Sequence, residues 1–367
     1  MSICAHIEFC SGCTYQLVPP EEQVAQKQAE LLRLLNEVGD VTPNEVMPAI
    51  MGPVWGYRRK ARLGVKYVHG KGLLVGFREQ NKRFITDTKQ CETLVPEVGH
   101  KISALREMIP QLSSFQKIPQ IEVASGDDGT ALIFRHLHAL TDRDKEILNE
   151  FGIQHQFRIF LQSGGLKTVV PLNESDDVFL HYDLPAYGLT LAFHPLDFVQ
   201  INREINFKLI ETACSLLELN QDDQVLDLFC GLGNFSLPLA TAVKSVVGIE
   251  GSEDMVERAN YNAEKNNIHN ASFYAADLFQ TPYVGEWVQQ TYTKILLDPP
   301  RMGAMEVVEN LEQWSPERIV YVSCSALTFS RDANELVRRG YTLEKVGLVD
   351  MFPHTQHAEV IGLFLRA

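Results

Sequence analysis

From about residue 200 onward, short runs rich in β-branched residues alternate with stretches of helical period, and no other feature restricts the fold of this chain so strongly. INFKLIETACSLLEL reads as a helix, QVLDLFC as a strand, NFSLPLATAV as a helix and SVVGIEG as a strand. DMVERANYNAEKNN follows as a helix, then ASFYAAD, KILLDPP and RIVYVSC as strands, LTFSRDANELVRRG as a helix and EVIGLFLRA as a last strand. Strands separated by helices of ten or more residues require right-handed crossovers and a parallel sheet. The first half has a different character. Residues 21–38 form an amphipathic helix, ARLGVKYV and GLLVGF a pair of strands, and a polar DDG turn at 127–129 joins two further strand-like runs. The chain therefore divides near residue 190 into an α+β unit, 1–190, and an α/β, Rossmann-like unit, 191–367. A length of 367 residues suits two or three domains.

The turn after the first strand of the alternation, Asp227-Leu228-Phe229-Cys230-Gly231-Leu232-Gly233-Asn234-Phe235, lets backbone approach a ligand at a helix start. A dinucleotide fingerprint wants a third glycine, and position 236 is Ser. Glu250 ends the second strand, where a carboxylate accepts hydrogen bonds from ribose hydroxyls. Asp277 ends the third, within reach of an adenine amine. A nucleoside without pyrophosphate fits this pattern, and S-adenosylmethionine is one.

Cys324 ends the run Arg318–Ser323 and so points into the crevice where an open parallel sheet binds ligands, which makes it a candidate nucleophile. Asp298-Pro299-Pro300-Arg301 ends the preceding strand. An acid before two prolines also suits amino-group methylation, but that chemistry needs no thiol. Carbon 5 of a pyrimidine does: a thiolate adding to carbon 6 makes carbon 5 nucleophilic, and a base must later remove the carbon 5 proton. His354, His357 and Glu359 are the candidate bases, Glu359 being the odd polar residue at a strand start.

Cys4, Cys10 and Cys13 read C-x5-C-x2-C, with Cys91 far downstream. Four thiolates so spaced suit a metal site or an iron–sulfur cluster, and spacing does not choose between zinc and iron. The formal net charge is −14, which opposes nucleic-acid binding, yet nine cations lie between Gly56 and Arg83 with Glu79 the sole anion among them. A local phosphate-binding face is the functional reading of that segment; a solvated hairpin is the bland one. No run is apolar enough to span a membrane and no secretory leader is evident, so a cytoplasmic protein is expected.

The chain resembles the cluster-containing RNA uracil-C5 methyltransferases. The matching stretches are the cysteine trio, WGYRRKARL at 55–63, KQC ending at Cys91, DFVQIN at 197–202 and LDLFCGLGNFSLPLA at 226–240. GIEG at 248–251, LLDPPR at 296–301, VYVSCSALTFSRD at 320–332 and DMFPHTQHAEV at 350–360 complete them. Within that family it is most similar to the enzymes acting on uracil 1939 of 23S ribosomal RNA. The resemblance implies a [4Fe–4S] cluster on Cys4, Cys10, Cys13 and Cys91. It implies an S-adenosylmethionine site lined by Gln200, Phe229, Asn234, Glu250, Asp277 and Asp298. Cys324 corresponds to the nucleophile, Glu359 to the proton-removing base, Phe198 to an aromatic beside the target base and Arg62 to an RNA-contacting arginine. The family's N-terminal β-barrel is not found in these residues, and CSALT replaces the commoner CNPxT after the nucleophile. The partner expected is 23S ribosomal RNA; no membrane and no protein partner are expected. Alternatives are the same chemistry on another 23S uridine or on tRNA and, from a different class, a non-catalytic iron–sulfur RNA-binding protein.

Overall fold

A computed structural model describes residues 4–80 and 84–366, so Lys82 and Arg83 of the basic segment lie outside the described residues. A helix, Pro20–Glu37, is followed by a two-residue strand, β1 (Glu45–Val46). Six strands then build a first sheet: β2 (Lys60–Val68), β3 (Gly72–Gly76), β4 (Gln120–Ser125), β5 (Thr130–Arg135), β6 (Phe157–Gln162) and β7 (Val169–Pro171), in the order β3-β2-β4-β5-β6-β7. A hairpin of β8 (Leu180–Leu184) and β9 (Leu189–Phe193) leads to the second sheet. That sheet holds β10 (Gln224–Leu228), β11 (Ser245–Glu250), β12 (Ala271–Ala275), β13 (Lys294–Leu297), β14 (Arg318–Ser323), β15 (Tyr341–Val349) and β16 (Glu359–Arg366). Its order is β1-β15-β16-β14-β13-β10-β11-β12.

The strands β10 to β14 pair in parallel, as their helical crossovers require, but β16 inserts antiparallel between β14 and β15. The helix NFSLPLATAV shortens to Ser236–Ala240, with Pro238 inside it. The chain turns back at β10, which has β11 on one side and β13 on the other. Ligands of open α/β sheets bind at the carboxyl ends of strands beside such a switch point.

The sheets do not divide the chain cleanly at residue 190. Leu31 and Leu35 of the first helix, with Val41, pack in the same apolar cluster as Tyr321, Phe329 and Phe364. β1 pairs with β15, extending the second sheet. The β8–β9 hairpin also rests on this unit: buried Asn262, on the helix Glu253–Lys265, donates to the Ala192 carbonyl at 3.0 Å and accepts from its N–H at 2.8 Å. Residues 20–50 thus belong structurally with the C-terminal sheet. Among the described residues no helix is long and apolar enough to cross a membrane.

Candidate active site

The carboxyl ends of the second sheet's parallel strands open into one cleft. Gln200, Phe229, Asn234, Glu250, Asp277, Asp298, Cys324 and Glu359 all line it, and Phe198 stands at its lip with 71% of its surface exposed. The turn that begins at Phe229 is built on positive φ angles: Phe229 itself at 66°, Gly231 at 55° and Gly233 at 94°. At Gly233 the backbone conformation favours glycine, and a Cβ there would also crowd Leu237 at 3.1 Å. The Glu250 carboxylate accepts from the N–H groups of Gly231 and Ser252, both at 3.1 Å, which ties the end of β11 to the turn. Asp277 is fixed in the same manner, accepting from Phe279 N at 2.9 Å and Gln280 Nε2 at 2.7 Å. The Phe229 ring lies 5.6 Å from that of Phe279.

Three contributors were not evident in the sequence. Asn206 exchanges two 3.0 Å hydrogen bonds with Asn234, and the Tyr182 hydroxyl donates to the same Asn234 oxygen at 2.9 Å. Arg59 is buried, lies 4.7 Å over the Tyr182 ring and donates from Nε to the Gln200 carbonyl at 2.7 Å. A run of cations reads as a solvated face; this one hides an arginine that holds the cleft wall together. Lys60 is likewise engaged, donating to the carbonyls of Pro195 and Asp197 at 2.6 and 2.8 Å, at the base of the Phe198 loop. Arg62 lies on the same face of β2, exposed, 3.1 Å from Glu122; it is not among the cleft-lining residues.

Cys324 sits between the end of β14 and the helix Ala326–Arg338, whose N-cap Ser325 follows it directly. Burial and the neighbouring Glu359 and Asp298 push its thiol pKa up, while Arg301 opposes them. Glu359 is buried at the first position of β16, with Oε2 lacking a hydrogen-bond partner. Burial, and then Asp298, pushes its carboxyl up to about 8. A base with a pKa near working pH combines availability with driving force. Neither His354 nor His357 lines the cleft.

Cys4, Cys10, Cys13 and Cys91 line a second cavity with Trp55, Phe77 and Thr93. Burial pushes the thiols of Cys4 and Cys10 up and that of Cys13 to about 12. Among the described residues no three His, Cys, Asp or Glu side chains converge to hold a single metal ion. The N-terminal loop is also tied to the segment that follows β3: Ser11 N donates to the Arg78 carbonyl at 3.0 Å and Gln80 N to that of Phe9 at 2.8 Å.

A doubly wound sheet with a strand-end cleft of this design defines an α/β methyltransferase fold of the S-adenosylmethionine-dependent class. The family model described as tRNA (Uracil-5-)-methyltransferase matches residues 21–367, and the chain belongs to that family. It is 47% identical over 365 residues to the 23S rRNA (uracil(1939)-C(5))-methyltransferase RlmD of Xanthomonas axonopodis pv. citri, covering 99% of this chain and 82% of that protein. The protein of the same description from Legionella pneumophila is also 47% identical, over 367 residues, with 83% of its length covered. Among solved structures, the Pyrococcus abyssi tRNA (uracil-54, C5)-methyltransferase in complex with S-adenosyl-L-homocysteine has a TM-score of 0.75 at 24% identity, over 97% of this chain and 86% of that one. At that identity the likeness speaks for the fold.

Proposed function

We propose that this protein transfers the methyl group of S-adenosylmethionine to carbon 5 of a uridine in 23S ribosomal RNA, the equivalent of uracil 1939, giving 5-methyluridine. One observation carries the chemistry: Cys324 and Glu359 open into the cleft that holds the strand-end acids. Kinship with two relatives that act on uracil 1939 supports the substrate. The donor site suits an adenosine without phosphate, with Glu250 at the ribose, Asp277 at the adenine edge and Phe229 beside the ring. The bound donor supplies an electrophilic methyl next to a positive charge, and the acids around it suit that charge.

The target base leaves its stack to reach the thiol, and Phe198 stacks on it at the cleft mouth. Cys324 loses its proton to water, the thiolate adds to carbon 6, and the electrons reach carbon 5 through the enolate. Carbon 5 takes the methyl as the S–CH3 bond breaks, and S-adenosylhomocysteine is the leaving group. Glu359 then removes the carbon 5 proton, the C5–C6 double bond re-forms and the thiolate leaves. Arg62 and the other exposed cations of the basic segment contact phosphates.

The four thiols of the N-terminal cavity hold a [4Fe–4S] cluster in this reading. Four cysteines lining one cavity support this reading. The cluster would tie the N-terminal loop to Cys91. Anaerobically purified protein should contain about four iron and four sulfide per chain; stoichiometric zinc without iron would overturn this assignment.

The test of substrate is methylation of a 23S rRNA transcript and of a tRNA pool, with 5-methyluridine mapped by mass spectrometry. Product confined to position 1939 of the 23S transcript supports the reading. Product on tRNA alone would replace it.

A further inference from the structure

The nine residues 350–358 between β15 and β16 carry no strand pairing of their own, and Glu359 stands where this loop re-enters the sheet. Glu359 pairs with Val349 of β15, but pairing with β14 begins only at Val360. The base therefore stands at the end of its strand with pairing on one side only, and the loop before it bears directly on where its carboxyl lies.

That loop is fastened by residues between Tyr15 and Tyr57. Lys27 Nζ reaches Asp350 at 2.6 Å, with both side chains buried, and the Phe352 carbonyl at 3.1 Å. Asp350 N donates to the Ile50 carbonyl at 2.9 Å. The Tyr57 hydroxyl donates to the Pro353 carbonyl at 3.0 Å. His354 is held on three sides. Its N–H donates to Gln23 Oε1 at 2.8 Å, its carbonyl accepts from Tyr15 N at 2.9 Å, and its ring lies 4.1 Å from Trp55. Gln23 Nε2 faces His354 Nδ1 at 3.1 Å and donates to the carbonyls of Tyr15 and Val18 at 3.1 and 2.8 Å. His354 has φ of 66°, a left-handed conformation that a non-glycine residue keeps only when its surroundings over-determine it. Anchors of this number on a strained residue indicate that the loop's path is imposed from outside.

We propose that Gln23, Lys27 and Tyr57 are positioning residues for proton removal: through the 350–358 loop they hold Glu359 against carbon 5 of the methylated adduct. The proposal rests on the reading of Glu359 as the base. Its specificity comes from topology. The thiol of Cys324 is placed by β14 and the following helix, and the donor by the ends of β10, β11, β12 and β13; none of these lies in this loop. Loosening the clamp therefore spares addition and methyl transfer and slows elimination.

The test is a single-turnover reaction on a 23S rRNA fragment tritiated at carbon 5 of uridine, with donor labelled by carbon-14 in the methyl group. In the wild type, tritium release keeps pace with methyl incorporation. Gln23→Leu should keep methyl incorporation within about twofold and slow tritium release about tenfold, the scale set by misplacing a reacting group by a fraction of an ångström to an ångström. A methylated protein–RNA adduct should appear on a denaturing gel, with donor affinity unchanged. Tyr57→Phe, which removes one hydroxyl and little volume, should act in the same direction more weakly and carries the test if Gln23→Leu fails to fold. Equal slowing of both labels, or no separation in either variant, would overturn the proposal. Glu359→Gln runs beside them: if it traps adduct and the clamp variants do not, only the clamp is wrong. If Glu359→Gln turns over normally, the assignment of the base fails and the clamp with it.

Discussion

Three carboxyls in the cleft region sit far above their usual range. Burial pushes Asp227 and Asp298 up to about 7 and Glu359 up to about 8, with Asp298 adding to the push on Glu359. A carboxyl whose folded pKa exceeds its unfolded value favours the folded state at low pH, and that advantage is lost as pH rises from about 4 through the folded pKa. The ligand-free protein should therefore melt at progressively lower temperature between pH 6 and pH 8.5. A bound sulfonium favours the ionised acids, so the donor should bind about tenfold more tightly at pH 8 than at pH 6 if one acid near pKa 7 must ionise. Titration calorimetry in two buffers of different ionisation enthalpy should show proton release on binding; proton uptake, or affinity flat with pH, would contradict this. The proposed reacting residues were singled out one by one, because a cysteine and a glutamate at strand ends have few structural reasons to be there, and both line the cleft. Arg59 was not. Its place in a run of cations suggested an exposed, phosphate-binding face, whereas β2 starts at Lys60 and the preceding arginine is buried under Tyr182.

The helix Pro20–Glu37 shows what an element's sequence leaves open. Its period gave an apolar face but not the surface that face covers, and it packs on the far end of the chain, against the helix Ala326–Arg338 and β15. Leu31 is fully buried there, so Leu31→Ala should cost about 2–5 kcal/mol. Denaturant unfolding followed through donor binding is the check, because the helix supports the methyltransferase sheet; destabilisation confined to the first sheet would contradict the packing. The parallel strands were legible because they are short, apolar and bounded by turn residues. β15, YTLEKVGLV, escaped notice because Glu344 and Lys345 interrupt its alternation, near a register shift between Leu343 and Lys345. The β8–β9 hairpin escaped because its role is tertiary: it carries Tyr182 to Asn234.

At the scale of the whole molecule, a net charge of −14 coexists with a basic segment whose described exposed members are Arg62, Lys66, Lys71 and Arg78. Four phosphate contacts on single-stranded RNA give a slope of about −3 in log affinity against log salt. Arg62→Ala should reduce that slope by about 0.7, whereas Arg59→Met should leave it unchanged and weaken donor binding through the Gln200 carbonyl. Nitrocellulose filter binding over a salt series separates the two, and equal effects would refute the distinction between buried and exposed cations. In the proposed function, the N-terminal clamp, the strand-end cleft and the basic edge serve one event, the capture of an extruded uridine by a thiol. The most direct measurement of that event is peptide mass spectrometry on Glu359→Gln incubated with 23S rRNA and S-adenosylmethionine, then digested with nuclease and protease. A 5-methyluridine nucleotide attached to the peptide at Cys324 is the predicted result. An adduct on another residue, or 5-methyluridine formed by Cys324→Ala, would contradict it.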